Sequence, residues 1–303
     1  MAHRRQEIEE FVRQIVVEVE AAEATGMTTP QAIADHFNAI GVTTRKGRKW
    51  TNATVEKFLS SPIAIRHRSA ETIVGTKNPN GIADQPSQSF DKVQLRRLSG
   101  ITIAHYDRVA EDYWRGTRHH DVSQNTEAFL EAIEGSPPYT ILDLGCGPGR
   151  DLQHFNSLGH DAVGLDGSET FVSMARFHSG CEVLHQDFIA MTLPENHFDG
   201  VFANASLFHI PSQELPKVLL KLSKALTSGG VLFCSNPRGN NDEGLSNDRY
   251  SCFFNLETWR NYLIAAGFVE LRCYFRPPGL PRHRQPWLAT VWRKGDGPKE
   301  QPA

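Results

Sequence analysis

A short apolar run that ends in an acid and then in alternating glycines is the strongest constraint on the fold of this chain. Residues 141–150 read ILDLGCGPGR, with glycine at positions 145, 147 and 149. This pattern is typical of a buried β-strand that enters a turn where the backbone lies flat against a ligand. A second apolar run, residues 162–165, ends in Asp166, at the place where a doubly wound α/β sheet binds a ribose. Together the two segments predict an enzyme that uses a nucleoside-containing cofactor.

The glycine spacing indicates which cofactor is expected. A dinucleotide-binding loop needs G-x-G-x-x-G, whereas here Arg150 follows the third glycine, and the chain has no G-x-x-x-x-G-K-[ST] motif. The acid-x-Gly-x-Gly-x-Gly order resembles the cofactor loop of class I S-adenosylmethionine-dependent methyltransferases. This resemblance implies S-adenosylmethionine as cofactor, with Asp143 accepting from its ammonium group and Asp166 and Gly167 at its ribose. The loop residues implied beside its amino-acid end are Gly145, Cys146, Gly147 and Gly149. A glycine-rich turn without a ligand is the alternative interpretation.

The resemblance continues along the chain in the order of the family. Residues 182–188 look like a third strand, which implies that Asp187 faces the adenine amino group and that Phe188 packs on the ring. The alternative for Asp187 is a simple helix cap. Residues 197–210 look like the fourth strand and its exit loop, beyond the carboxyl end of the sheet. The residues implied there, near the methyl group and its acceptor, are Asn204, Ala205, Ser206 and His209.

Three further segments complete the expected fold. Residues 231–235 read as a fifth strand. Residues 267–275 and 287–293 look like the last two strands, which in the family form an antiparallel hairpin at one sheet edge. The resemblance covers about residues 104–294 and implies an α/β fold with a Rossmann-like, doubly wound seven-stranded sheet whose last strand is antiparallel.

A tyrosine-rich segment before the first strand resembles the helical lid of small-molecule methyltransferases. Residues 104–114 contain the pattern Tyr-Asp-x-x-Ala-x-x-Tyr. Because aromatic faces favour a cation, Tyr106, Tyr113 and Trp114 are expected to cover the sulfonium. Arg118 is expected to pair with the cofactor carboxylate, for which a guanidinium fork is suited.

Two candidates for catalysis follow from this arrangement. A general base helps when the acceptor must lose a proton near neutral pH, and histidine is the side chain best suited to this role. His209 in the exit loop and Tyr106 in the lid are the expected catalytic residues; the alternative for His209 is to cap or pack the helix that begins near Pro211. No metal is expected, because the triplet His119-His120-Asp121 has no third ligand cluster with it and reads as a lid turn.

The chain is expected to divide into four segments. Residues 1–68 are predicted to form a small all-helical domain, 69–100 a linker, 101–294 the methyltransferase-like domain and 295–303 a disordered tail. Within the first segment, amphipathic helices are predicted over residues 5–24, from Thr29 onward and from Thr51 onward.

A basic turn precedes the third of these helices. The unit resembles a helix-turn-helix, and about residues 30–65 are similar to the start of the recombinase domain of large serine recombinases. No catalytic domain of that family precedes this segment and no zinc ribbon follows it, so recombinase activity is not implied. Two interpretations stay open: a weak nucleic-acid contact, or a solvated turn on a packing or dimerisation module. The side chains concerned are Arg45, Lys46, Arg48 and Lys49.

Composition narrows the functional classes. A net charge of −3 does not mark the whole chain as a nucleic-acid binder. No apolar run approaches the ~20 residues that a membrane span needs. Five scattered cysteines without a C-x-x-C pair indicate a reducing compartment, so a cytoplasmic protein is expected.

The acceptor is expected to be a small molecule. Amino-directed DNA methyltransferases carry an Asn/Asp-Pro-Pro-aromatic run after the fourth strand, where this chain has Asn-Ala-Ser-Leu at residues 204–207, and no cysteine follows a proline as cytosine-carbon enzymes require. The alternatives are a methyltransferase directed to nucleic acid or protein by the N-terminal module, and a DNA-binding regulator that senses the cofactor. A polar loop over residues 238–249 is expected to roof the acceptor. Arg276, Arg282 and Arg284 either meet an anionic acceptor or lie in a solvated loop.

Overall fold

The computed structural model describes residues 29–59 and 89–295 together with positions 11, 12, 15, 16, 18, 19, 22 and 27. The chain separates into two compact units, Met1–Ile82 and Ala83–Ala303. The described positions between 11 and 22 are helical. The rest of the predicted first helix, residues 60–68 of the predicted helical domain, residues 69–88 of the predicted linker and residues 296–303 of the predicted tail lie outside the described residues.

Residues 29–59 of the first unit form two short helices that begin at the expected caps. Helix α1 (Pro30–Ala39) begins where Thr29 accepts a hydrogen bond from the backbone N–H of Ala32. Helix α2 (Asn52–Leu59) follows, and Trp50 packs with both helices in one apolar core. The Asn38 amide donates to the Trp50 carbonyl at 2.8 Å and accepts from its N–H at 2.9 Å, which fixes the connection.

A seven-stranded sheet in the order β3-β2-β1-β4-β5-β9-β8 forms the centre of the second unit. Strands β1 to β5 are parallel, and β9 is antiparallel to both of its neighbours, β5 and β8. This confirms the predicted Rossmann-like sheet with an antiparallel hairpin at one edge. Its strands are β1 (Thr140–Leu144), β2 (Asp161–Asp166), β3 (Val183–His185), β4 (Phe198–Asn204), β5 (Leu226–Pro237), β8 (Phe268–Arg276) and β9 (Trp287–Lys294).

The segment expected to be a polar loop is in fact largely a β-hairpin. Strands β6 (Asp242–Ser246) and β7 (Arg249–Phe253) pair antiparallel outside the main sheet. Asn247 and Asp248, with φ of 50° and 57°, form the two-residue connection that asparagine and aspartate tolerate better than other side chains. The hairpin is pinned from outside, because the Thr102 hydroxyl accepts from the backbone N–H of Tyr250 at 2.9 Å.

Both faces of the main sheet are buried. Leu142 and Leu144 of β1 belong to one apolar cluster, whereas Ile141 lies in the other together with Phe202 of β4. Successive side chains of a strand point to opposite faces, so a strand covered on both sides reads as an uninterrupted apolar run. This is why the strands could be recognised in the sequence.

Helices cover the two faces of the sheet. Helix α3 begins at Lys92 with a capping box between Asp91 and Gln94, so residues 92–100 of the predicted linker are helical. Its first turns are mostly polar and carry little apolar signal. Within the described ranges, no helix combines the length and hydropathy needed to cross a membrane. The helices of this unit are α3 (Lys92–Thr117), α4 (Ser123–Leu130), α5 (Arg150–Ser157), α6 (Glu169–Ser179), α7 (Leu215–Ala225) and α8 (Leu256–Ala265).

Candidate functional site

The loop after β1 needs glycine at two positions for steric reasons. Gly145 has φ 75°, and a Cβ built there would lie 2.4 Å from Cβ of Ser206. Gly149 has φ 91°, and a Cβ there would lie 2.8 Å from Cα of Ala175. Real Cβ atoms do not approach that closely, and L side chains rarely adopt these φ values. The loop backbone therefore packs directly against the exit of β4 and against helix α6.

Asp166 ties this loop to the end of β2. Its carboxylate accepts hydrogen bonds from the backbone N–H groups of Gly147 at 3.0 Å and Ser168 at 2.9 Å. Burial raises the pKa of Asp166 to about 6, against the opposing effect of these backbone bonds. A partly buried acid is thus held at the carboxyl edge of two adjacent parallel strands.

A cavity lies along this edge of the sheet, between helix α3 and the loops that follow β1 to β4. An α/β sheet of this kind binds ligands at this edge. The structure brings most of the predicted site residues together around it: Tyr106, Tyr113, Gly145, Gly147, Asp166, Gly167, Asp187, Phe188, Ala205, Ser206 and His209.

Three of the predicted cofactor-binding residues in or next to the loop do not line the cavity. Asp143 and Cys146 are buried, and Gly149 caps helix α5. Burial, followed by the charge of Asp151, holds the pKa of Asp143 well above its usual range. Oδ2 of Asp143 and the hydroxyl of Ser206 have no hydrogen-bond partner among the described residues. Since unpartnered buried polar atoms are costly, these two fit a polar group bound beside the loop.

Two lid residues lie elsewhere than expected. Arg118 is an exposed residue at the end of α3 and lines neither this cavity nor the one beside it, so the geometry does not support its predicted pairing with a cofactor carboxylate. Trp114 stacks on His178 with ring centres 4.4 Å apart and does not line the cavity. Arg118 follows the last helical residue, Thr117, and Trp114 does not share the helical face of Tyr106 and Tyr113. The sequence analysis grouped all of these residues in one lid.

Arg150 is the cation that the structure places nearby instead. Its guanidinium donates to both carboxylate oxygens of Asp151, at 2.7 and 2.9 Å. Asp151 also accepts from the Asn204 amide at 3.0 Å, which directs Asn204 away from the first cavity and into the wall of the second. The sequence showed Arg150 only as the residue that breaks a dinucleotide motif.

Tyr106 and His209 form a directly hydrogen-bonded pair. The Tyr106 hydroxyl lies 2.8 Å from Nε2 of His209, and Nδ1 of His209 lies 2.7 Å from the Tyr250 carbonyl oxygen. A carbonyl oxygen only accepts, so Nδ1 carries the proton. Burial lowers the pKa of His209 to about 4. The neutral imidazole therefore accepts a hydrogen bond from the Tyr106 hydroxyl at Nε2.

Helix α3 contributes more to the cavity than the tyrosine pattern indicated. Ser99, Thr102 and Ile103 line it together with the two tyrosines, at spacings that place them on one helical face. Asp107 fastens the helix by accepting from the Ser168 hydroxyl at 2.6 Å and the Thr170 N–H at 3.1 Å. These small or aliphatic lining residues carry no chemical signature in a sequence, and only their helical spacing points to them.

A second cavity of about 680 Å³ adjoins the first, and Tyr106, Tyr113 and Ala205 line both. This volume is in the range of small-molecule sites. Arg249 from the unpredicted hairpin is among its lining residues, with Arg276. In the described part of the chain, no three His, Cys, Asp or Glu side chains are grouped so as to hold a metal ion.

Comparison with known proteins finds a methyltransferase family model within this unit. Residues 141–230 match the family model described as "Methyltransferase domain". This segment contains the glycine loop, Asp166, Asp187 and His209. This match and the seven-stranded sheet agree on a Rossmann-like methyltransferase fold for the second unit.

Curated relatives are similar at a moderate level. Phosphoethanolamine N-methyltransferase of Triticum aestivum is 28% identical over 230 residues, which are 72% of this chain and 44% of the relative. Sterol 24-C-methyltransferase of Yarrowia lipolytica is 28% identical over 181 residues, 52% of this chain and 45% of the relative. The chain thus spans less than half the length of these relatives.

Solved structures support the fold. Burkholderia thailandensis 1,6-didemethyltoxoflavin-N1-methyltransferase, solved with bound 1,6-didemethyltoxoflavin and S-adenosylhomocysteine, aligns with a TM-score of 0.55 at 20% identity; the alignment covers 71% of this chain and 94% of that chain. A Leishmania major S-adenosylmethionine-dependent methyltransferase aligns with a TM-score of 0.58 at 17% identity and covers 67% and 87%.

Proposed function

We propose that the protein is an S-adenosylmethionine-dependent methyltransferase that acts on a small-molecule acceptor. One observation carries the proposal: the glycine loop, Asp166 and the tyrosines of α3 line one cavity, which meets a second cavity at Tyr106. The first has the side chains that suit a nucleoside with an amino-acid end. The second has room for a small acceptor next to the Tyr106–His209 pair.

The residues of the first cavity divide the cofactor between them. Asp166 accepts from the ribose hydroxyl groups, and Asp187 and Phe188 hold the adenine by its amino group and its face. The Ser206 hydroxyl and Asp143 satisfy their unpartnered oxygens with the ammonium end, directly or through water. Tyr106 and Tyr113, whose rings lie 5.8 Å apart, present aromatic surface to the sulfonium.

The chemistry requires alignment and, for some acceptors, removal of a proton. S-adenosylmethionine supplies a methyl group on a positively charged sulfur, which the acceptor displaces in line. The protein holds the two reactants in register and excludes water. His209 accepts the Tyr106 proton at Nε2 while Tyr106 takes a proton from the acceptor, so the pair acts as the general base.

Binding of S-adenosylmethionine is expected to weaken as the pH falls through about 6. The pKa of Asp166 is about 6 because of burial, and the ribose hydroxyls donate to its ionised form. The affinity is therefore full above this pKa and about tenfold lower one pH unit below it. For the free protein the sign is opposite: between 3.8 and about 6 the folded state holds a proton that the unfolded chain releases, so stability falls as the pH rises through this window.

Calorimetric titrations at about pH 5 and about pH 7 measure this dependence. The Asp166→Asn protein is the control, because an amide does not titrate. Its weaker affinity should stay constant over the same range. An equal pH dependence in both proteins would exclude Asp166 as the titrating group.

Transfer of a labelled methyl group tests the proposed function. The full chain is incubated with methyl-labelled S-adenosylmethionine and a cell extract, which is then separated into small-molecule, protein and nucleic-acid fractions. We expect label in the small-molecule fraction, and none with the Asp166→Ala protein. Label confined to nucleic acid or protein would contradict the proposed acceptor, and no transfer at all by protein that binds the cofactor would favour a cofactor-sensing regulator.

Nucleic-acid contact through the first unit is a second proposal. It is supported by four exposed side chains in the turn between α1 and α2, none of which has an ion-pair partner among the described residues: Arg45, Lys46, Arg48 and Lys49. The similarity of residues 30–65 to the start of a recombinase domain stays a prediction.

We also propose a cytoplasmic location. All five cysteines are free, which is typical of proteins in a reducing compartment.

A further inference from the structure

Two guanidinium groups in the wall of the second cavity have no carboxylate partner. Arg249 lies at the start of β7 and Arg276 at the end of β8. Neither forms an ion pair with a described residue, and the Nε atom of each is buried without a hydrogen-bond partner. Arg276 donates from Nη2 to the Asp121 carbonyl at 2.7 Å, and the Arg249 guanidinium lies within hydrogen-bonding reach of the Tyr106 hydroxyl.

The other charges around this cavity compensate for them only in part, since Asp121 is the one acid among the described lining residues and lies close enough for Arg276 to help lower its pKa. Arg150 is neutralised by its two bonds to Asp151. Asp121 is the acid in the lining, and it accepts from the backbone N–H of Ser123 at 2.9 Å, which lowers its pKa. The two unpaired guanidiniums therefore outnumber the one carboxylate, and the cavity carries excess positive charge.

Such an arrangement is unfavourable unless a ligand completes it. A buried donor without a partner and a partly buried charge without a counter-charge both cost free energy. The planar guanidinium fork matches the oxygens of carboxylates and phosphates. Trp287 and Phe208 supply apolar wall to the same cavity, so an oxyanion attached to a small organic body fits it better than a free ion.

The two arginines line the same cavity as Tyr106, one of the two proposed catalytic residues. Tyr106 lines this cavity as well as the first, and Arg249 lies close enough for its charge to lower the pKa values of Tyr106 and His209, against the larger effect of burial on Tyr106. A ligand group bound by Arg249 and Arg276 would thus be anchored within a small molecule's length of the catalytic pair.

We propose that the methyl acceptor carries an oxyanion group, a carboxylate or a phosphate, which Arg249 and Arg276 bind while its nucleophilic atom lies at the Tyr106–His209 pair. This inference rests on the proposed function, because the second cavity is an acceptor site only when the first holds the methyl donor. The arginines act as specificity determinants: they select acidic acceptors and fix their orientation.

Calorimetry on the full chain saturated with S-adenosylhomocysteine tests this inference with three probes: inorganic phosphate, acetate and the neutral acetamide. We expect one or both anions to bind and acetamide not to bind. Arg249→Gln and Arg276→Gln should each weaken anion binding at least about tenfold, the loss of one charge-assisted contact. Arg272→Gln is the matched control, since Arg272 lies on the same strand as Arg276 but is exposed and pairs with Glu131.

The outcomes separate clearly. Tighter binding of phosphate or of acetate supports the proposal and identifies the anion. Binding of acetamide as tight as that of the anions, no binding of either anion, or an equal loss in Arg272→Gln would overturn it. Failure to bind S-adenosylhomocysteine would instead overturn the proposed function, and phosphate titration of the free protein would then still decide whether the arginines form an anion site.

A melting experiment guards against misfolded variants. Each glutamine substitution removes a partly buried charge that has no carboxylate partner among the described residues and keeps a hydrogen-bonding amide, so neither should lower the melting temperature of the free protein by much. Phosphate should raise the melting temperature of the wild-type protein and of Arg272→Gln, and should raise it less in the other two variants. An equal rise in all four proteins would contradict the assignment.

Discussion

Replacing His209 with alanine is expected to lower kcat by roughly a hundredfold to ten-thousandfold while the affinity for S-adenosylmethionine changes little. The imidazole is buried and neutral, because burial lowers its pKa to about 4, and its Nδ1 proton is committed to the Tyr250 carbonyl. Nε2 is therefore free to take the proton of Tyr106 over the whole physiological pH range. Without it, Tyr106 has no group to which its proton can pass.

Tyr106→Phe separates the two roles assigned to this tyrosine. The variant keeps the aromatic ring at the sulfonium and removes only the hydroxyl that bonds to His209 at 2.8 Å. We expect its kcat to fall as in His209→Ala, while Kd for the cofactor stays within about twofold. His197→Ala is the control, because His197 is exposed at the opposite end of β4. An unchanged kcat in His209→Ala would show that the pair only packs the lid.

The features that local sequence determines could be predicted. The strands are buried on both faces, so runs such as residues 141–144 carry their own signal. The glycines at 145 and 149 are required by close backbone contacts, and Asp166 follows directly from the strand before it. Gly145 and Asp166 thus form one wall of the first cavity through local contacts that the sequence pattern carries.

The features that long-range contacts determine could not be predicted. The β6–β7 hairpin is held by Thr102, a residue 148 positions before Tyr250, and it supplies both the carbonyl that sets the His209 tautomer and Arg249. Arg118 and Arg150 are equally cationic in the sequence. Only the fold shows that one ends a helix in solvent while the other bonds to Asp151 beside the second cavity.

Loss of cofactor affinity in Asp166→Ala is the second large effect. The substitution removes the proposed acceptor for the ribose and leaves the backbone N–H groups of Gly147 and Ser168 without their carboxylate partner. Hydrogen bonds to a charged group contribute about 1.5–3 kcal/mol each, so losing two of them should weaken binding at least about a hundredfold. Asp161→Ala is the matched control: this exposed aspartate lies at the other end of β2.

Calorimetric titration of S-adenosylmethionine into the wild-type, Asp166→Ala and Asp161→Ala proteins therefore tests the central claim most directly. The structure predicts one site per chain in the wild-type and Asp161→Ala proteins, with binding lost or weakened at least about a hundredfold in Asp166→Ala. A folded wild-type protein that does not bind S-adenosylmethionine, or an Asp166→Ala protein that binds it equally well, would contradict the assignment of this cavity.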